Sequence, residues 1–200
     1  MTPTVAALIA ANVGMFFIAS AVPQLMMSLA LWPVGGEWLI LSARGAGFAP
    51  WQLVTYAFLH GGLTHLAFNM FGLYMFGGPL EQVFGRKRFL IYYFSCVVTA
   101  ALTQLIVLGV TGTFAPTVGA SGGVFGLLLG FAMLFPHTRI VLLIPPIPMR
   151  ARTFAIVYAV IELGLGIVGS STGVAHFAHL GGMLGGFLLL RHWGFRARPS

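Results

Sequence analysis

Ser121 stands in the run GASGGVFG (119–126), a small nucleophile walled in by glycines at the start of an apolar stretch. Two other stretches place polar side chains in similar surroundings. THLAFNMFGLYMFG carries His65 and Asn69 four residues apart, hence on one helix face, and AHFAHLGGMLGG carries His176 and His179. A hydroxyl, an imidazole and further donors are the parts needed for acyl transfer. The hydroxyl attacks, the imidazole takes its proton and later returns it to the leaving amine, and the donors hold the developing oxyanion.

Other hydrolytic chemistries are excluded by what the chain lacks. The three acidic residues are all Glu (Glu37, Glu81 and Glu162), so the paired aspartates of an aspartyl protease are missing. HGGLTH (60–65) has neither the spacing nor the acid of a HExxH zinc site. The one lysine, Lys87, belongs to the opposite end of the helices from Ser121, which removes a Ser-Lys pair. A Ser-His-Asp triad lacks its third member; Glu81 lies at the wrong end, and Glu162, in the middle of an apolar run, receives no role. What remains is a Ser-His dyad. The single cysteine, Cys96, permits no internal disulfide and no Cys-based metal site, and reads as a small buried residue. Neither a metal nor a cofactor is expected.

These residues need elements to carry them, and composition says where those elements live. With 58% hydrophobic and 6% charged residues, and a mean hydropathy of +0.97, the chain has too little polar surface for a soluble globule. Apolar runs long enough to cross a bilayer are expected at about 4–26, 64–84, 88–110, 119–136, 152–169 and 175–191, making one all-α domain of six spans over residues 1–200. The first run is too long, and lacks the charged start, to be a removable leader. Arg86, Lys87, Arg88, Arg139, Arg150, Arg152, Arg191, Arg196 and Arg198 fall on one side if the spans alternate, with Arg44 alone on the other. Both termini are therefore expected in the cytoplasm, and the net charge of +7 reads as anchoring against anionic lipid, with no nucleic-acid partner. The connection from Pro23 to Thr64 is too long and apolar for an ordinary loop; it is expected to lie partly in the outer leaflet, held by Trp32, Trp38 and Trp51 at the interface. Proline-rich IPPIP (144–148) falls in an inner loop, and Glu81 is expected to cap its helix or pair with Arg86 or Arg88.

Depth brings the polar residues together. Counted up from the inner ends at ~1.5 Å per residue, Ser121 and His65 stand ~24 Å high and Asn69 and His179 ~18 Å high, one layer of a core ~30 Å thick. Glycines give the means of contact: Gly122, Gly126 and Gly130 on one span, and Gly181, Gly182, Gly185 and Gly186 on another, form small-xxx-small ridges that let helix backbones approach. The start of the fourth span adds the Ser121 backbone N–H and a helix dipole as oxyanion stabilisers, with His65 and Asn69 as side-chain donors.

On PWQLVTYAFLHGGLTHLAFNM (50–70), GASGGVFG (119–126) and AHLGGMLGG (178–186), in that order and spacing, the chain resembles the rhomboid intramembrane serine proteases. The resemblance implies a six-helix rhomboid bundle with a long membrane-embedded first loop. It puts the nucleophile on Ser121, the base on His179 and the oxyanion residues on His65 and Asn69. Gly182 and Gly186, three and seven residues after His179, support that choice, whereas the same offsets from His176 give the bulkier His179 and Met183; His176 is expected near the outer surface. Phe125, one turn after Ser121, is expected to pack on the imidazole. Gln52 is a departure, since many members have Trp-Arg where this chain has Trp51-Gln52. His60 is expected to be structural or to bind water. Substrates implied are transmembrane helices, unwound and cut near their outer ends, with span five or the segment GSSTG (169–173) as the gate. A bacterial cytoplasmic membrane is the expected location. An inert member that binds client transmembrane helices is the alternative; a haem protein ligated by His65 and His179 would leave Ser121 unexplained.

Overall fold

The computed structural model describes residues 1–34, 47–141, 147–169 and 175–195. The architecture is mostly helical. Helix α1 (Pro3–Ala21) is followed by the short α2 (Gln24–Leu29) and α3 (Gln52–Thr55), a 3-10 turn (Tyr56–Phe58), the long α4 (Leu63–Thr111), α5 (Ser121–Leu134), two short strands, α6 (Ala151–Val168) and α7 (His176–His192). The strands β1 (Arg139–Val141) and β2 (Pro148–Arg150) pair antiparallel, Ile140 opposite Met149. Residues 142–146, which hold most of the proline-rich stretch, lie outside the described residues.

The expected boundaries shift where backbone chemistry intervenes. The run expected over 4–26 ends at Ala21, because Val22 before Pro23 leaves the helical region (φ −128, ψ 80) and a separate short helix follows. The runs expected at 64–84 and 88–110 are one continuous assignment broken at a single residue, Gly85 (φ 72, ψ 163). Only glycine adopts that conformation without strain, so one residue turns the chain and no loop is needed. Arg86, Lys87 and Arg88 consequently sit in the first turn of the second arm, exposed. By length and composition, three of the described helices are apolar enough to cross a membrane: α1, α4 and α6; α5 is a shorter apolar helix. Large apolar side chains face outward along them, among them Phe68, Ile106, Val110, Val160 and Ile167, as a lipid-facing surface requires.

Helix α5 sits in the middle, packed on α4 and α7, which also pack on each other. Its glycines make this possible. A Cβ on Gly182 of α7 would overlie the Gly122 carbonyl; one on Gly126 would meet Cys96 and stand 3.0 Å from the Gly182 carbonyl; one on Gly186 would strike the Tyr92 hydroxyl. Tyr92 donates that hydroxyl to the Gly126 carbonyl at 2.8 Å, tying the second arm of α4 to α5. Cys96 is fully buried in this contact. Helix α6 is more peripheral, burying only Ala151, Phe154, Ala155 and Glu162.

Glu81 does not pair with Arg86 or Arg88. Its two carboxylate oxygens accept from the Thr4 and Val5 backbone N–H groups at 3.1 and 3.0 Å, satisfying the otherwise unpaired first turn of α1. Of the expected interfacial tryptophans, Trp32 is buried, lies against Phe114 and donates its indole N–H to the Met27 carbonyl at 2.8 Å; Trp51 is exposed; Trp38 lies outside the described residues. Gln52 ties this region together. Its Oε1 accepts from the Trp32 N–H at 3.1 Å and its amide donates to the Gly47 and Ser28 carbonyls at 2.7 and 3.3 Å.

Candidate active site

The polar residues of the three sequence motifs stand on a first helical turn or close to one. Ser121 opens α5, whose N-terminal dipole points at it. The chain reaches it through an antiparallel bridge between Leu31 and Thr117, then through the Gly119 N–H, which the Tyr56 carbonyl accepts at 3.0 Å. Tyr56 is itself fixed by its hydroxyl, which donates to the Val97 carbonyl at 2.8 Å. Gly119 has φ +124, open to glycine alone, and a Cβ there would stand 2.7 Å from the His65 ring. The loop before the serine therefore lies directly against His65.

The serine hydroxyl meets an imidazole. Ser121 Oγ and His179 Nε2 are 2.8 Å apart, a hydrogen bond between residues fifty-eight positions apart in the chain. The Phe125 ring stacks on the His179 ring with centroids 4.2 Å apart and planes 3° from parallel, which fixes the imidazole plane. Gly122 and Gly126 of α5 and Gly182 and Gly186 of α7 set the helix separation at which that bond closes.

The other side of His179 holds what the sequence reading passed over. Its Nδ1 is 2.9 Å from Glu162 Oε2, and His176 Nδ1 is 2.7 Å from the same oxygen. The third member of a Ser-His-acid array is thus present, as Glu162 on α6. The chain has no Asp and Glu81 stands at the inner end of its helix, while an acid in the middle of an apolar helix, as Glu162 is, carries no local sign of its partner. An unpaired carboxylate there would be costly, which was the signal available. His176 is likewise not near the surface: it is buried and bound to Glu162.

Asn69 and His65 occupy the first turns of α4. Asn69 is buried, and its Nδ2 donates to the His65 carbonyl at 2.9 Å, using one of its two amide hydrogens. His65 is half-buried, with its ring edge-on to His60 at a centroid distance of 5.1 Å. His60 is buried, and neither of its ring nitrogens has a well-formed hydrogen bond among the described residues. Burial first, then the adjacent His65, lowers the His60 pKa to about 4. Of the expected gate, residues 170–173 lie outside the described residues.

A glycine-seated serine held to an imidazole within a bundle of apolar helices defines a helical membrane protein with a polar cluster in its interior. Residues 48–193 match the Rhomboid domain family, and the chain belongs to that family. It is 32% identical over 137 residues (68% of this chain, 25% of the relative) to "Rhomboid protease GluP" of Bacillus subtilis. It is 33% identical over 142 residues (68% of this chain, 40% of the relative) to "Rhomboid protein 1, mitochondrial" of Saccharomyces cerevisiae. Over 169 residues (81% of this chain, 38% of the relative) it is 35% identical to "RHOMBOID-like protein 4" of Arabidopsis thaliana. The chain thus spans between a quarter and two-fifths of the length of these relatives. It is an integral membrane protein.

Proposed function

We propose that this protein is an intramembrane serine endopeptidase that cleaves transmembrane helices of other membrane proteins near their outer ends. The observation that carries the reading is the 2.8 Å contact between Ser121 Oγ and His179 Nε2. With its Nδ1 proton donated to Glu162, His179 presents the Nε2 lone pair to the serine. As Oγ attacks the scissile carbonyl, Nε2 takes its proton, then passes it to the leaving amine; a water activated in the same way releases the acyl group. The carboxylate holds the tautomer and stabilises the imidazolium, so the dyad of the sequence reading works here as a Ser-His-Glu array. Phe125 keeps the ring in plane.

The oxyanion is stabilised by the Ser121 backbone N–H at the start of α5, by the second amide hydrogen of Asn69 and by the His65 ring. Each such donor is worth ~3 kcal/mol, or ~10²-fold in rate. A helical peptide bond is shielded, so a substrate must unwind to reach Ser121; helix-breaking residues in it favour cleavage. The peripheral α6, with few buried residues, is the element that moves to admit it.

Six spans follow if the two arms of α4 and the shorter α5 and α7 each cross. The basic residues Arg86, Arg139 and Arg191 then lie at, or a few residues beyond, the far ends of the helices that carry His65, Ser121 and His176 near their starts, which supports a cytoplasmic position for those far ends and for both termini. A bacterial cytoplasmic membrane suits this arrangement. The test is cleavage of a single-span reporter in liposomes. Wild type cuts it and Ser121→Ala and His179→Ala do not; a wild type that cuts no reporter of varied sequence points instead to an inert binder of client helices.

A further inference from the structure

We propose that Glu162, His176 and His179 form a binding site for a divalent transition ion of the zinc class, and that filling the site stops catalysis. Three ligand atoms, Glu162 Oε2 and the Nδ1 atoms of both histidines, lie within 4.8 Å of one another. Both nitrogens already point at the one oxygen, at 2.7 and 2.9 Å, and the two rings stand at 87° to each other, so the nitrogens converge from different directions. Two imidazole nitrogens and one carboxylate oxygen are a zinc-type donor set, which leaves a fourth position for water. Bonds of ~2.0–2.1 Å in a tetrahedral arrangement separate the ligand atoms by somewhat more than these hydrogen-bond distances, so the contacts need only widen slightly. The side chains are 7–10% exposed, so the ion would sit in a site shielded from bulk water, where its charge is offset by the carboxylate. The sequence expectation of no metal came from cysteine content and HExxH spacing; a site assembled from α6 and α7 escapes both criteria.

The consequence for His179 is specific. Today each Nδ1 proton can be donated to Glu162. An ion on Nδ1 takes that lone pair, and a neutral imidazole then carries its single proton on Nε2. Nε2 faces Ser121 Oγ, so a protonated Nε2 donates to the hydroxyl and can no longer accept its proton. No proton need leave the protein; one tautomer is exchanged for another, and the exchange removes the base. The inhibitory half of this inference rests on the peptidase reading, whereas the binding half does not.

The two halves are tested separately. The Ser121→Ala chain, which retains all three ligands, is titrated with Co²⁺ in detergent. One equivalent is expected to give the visible absorption of a four-coordinate nitrogen-oxygen site, to be displaced by Zn²⁺, and to bind at least ~10-fold more weakly when His176→Gln or Glu162→Gln is added. In parallel, reporter cleavage by wild type is expected to stop in buffered micromolar Zn²⁺ and return with a chelator, while the cleavage that His176→Gln retains continues in the same zinc. Failure of Ser121→Ala to bind cobalt overturns the site irrespective of how the other variants fold, as does cobalt absorption that both ligand substitutions leave intact. Cleavage that runs undiminished with cobalt bound overturns the switch. A wild type inactive even without metal refutes the peptidase reading, and the cobalt titration still decides the site.

Discussion

His179 is held from both sides: its Nε2 lies 2.8 Å from Ser121 on α5 and its Nδ1 2.9 Å from Glu162 on α6, with the Phe125 ring stacked on its face. Three helices therefore meet at one imidazole. Most of the proposed chemistry follows from that junction.

In the proposed reaction Glu162 acts through His179, 2.9 Å away, as a positioning residue. Replacing it with Gln keeps the shape and removes the charge, so the imidazolium loses its counter-charge and the tautomer its anchor. Reporter turnover is expected to fall by roughly 10²-fold or more, in kcat with KM little changed, and the pH profile of kcat to move. Glu162→Asp is expected to restore part of the rate. Equal loss in Gln and Asp variants with an unmoved pH profile indicates that Glu162 only supports folding.

The glycine contacts make a prediction about stability. A methyl group on Gly182 meets the Gly122 carbonyl, backbone that is unable to swing aside as a side chain end could, whereas one on Gly78 meets nothing within 4 Å. Gly182→Ala is expected to destabilise the bundle by at least ~1–3 kcal/mol, and to separate Ser121 from His179. Gly78→Ala is expected to be neutral or to stabilise by up to ~1 kcal/mol through helix propensity. Thermal unfolding in detergent, followed by circular dichroism, compares the two. Similar melting temperatures for both would contradict the packing described.

His60 sets an acid sensitivity. Its pKa is lowered to about 4 by burial and by His65, below the ordinary value of 6.5, so the unfolded chain binds its proton more readily than the folded one. The folded state therefore has the full contribution of neutral His60 above pH ~6.5 and loses it as pH falls from there toward ~4. His60→Leu, which keeps an apolar side chain in the same buried place, is expected to have a smaller drop in melting temperature between neutral and mildly acid pH. An identical drop in both proteins means the acid sensitivity belongs to other groups.

The parts of the molecule that were legible in the sequence are those written locally. Ser121 among its glycines, the paired His65 and Asn69, and the small-residue ridges of Gly122, Gly126, Gly182 and Gly186 are all spacings within a single helix, and the structure lays those helices against one another. Helix boundaries were legible to within a few residues, apart from Pro23, which ends α1 early, and Gly85, where one dihedral pair replaces an expected loop. Relationships across helices were not legible. Glu162 looked stranded because its partners are on another helix; His176 looked superficial because position near a helix start says little about burial; Glu81 was expected to cap its helix or to pair with nearby arginines, and the turn it caps is that of the distant α1. In each case the polar group was recognised and its partner was not, since a buried charge must be paired but nothing in its own segment says with what.

The central claim is that Ser121 is a nucleophile activated by His179, and active-site labelling reads this without any knowledge of the natural substrate. The membrane-reconstituted protein is treated with a fluorophosphonate probe and the modified peptide located by mass spectrometry. Labelling at Ser121 in wild type, abolished by Ser121→Ala and reduced to background by His179→Ala, is the predicted result. An unlabelled Ser121 in folded wild type, or labelling that survives His179→Ala undiminished, would contradict the account.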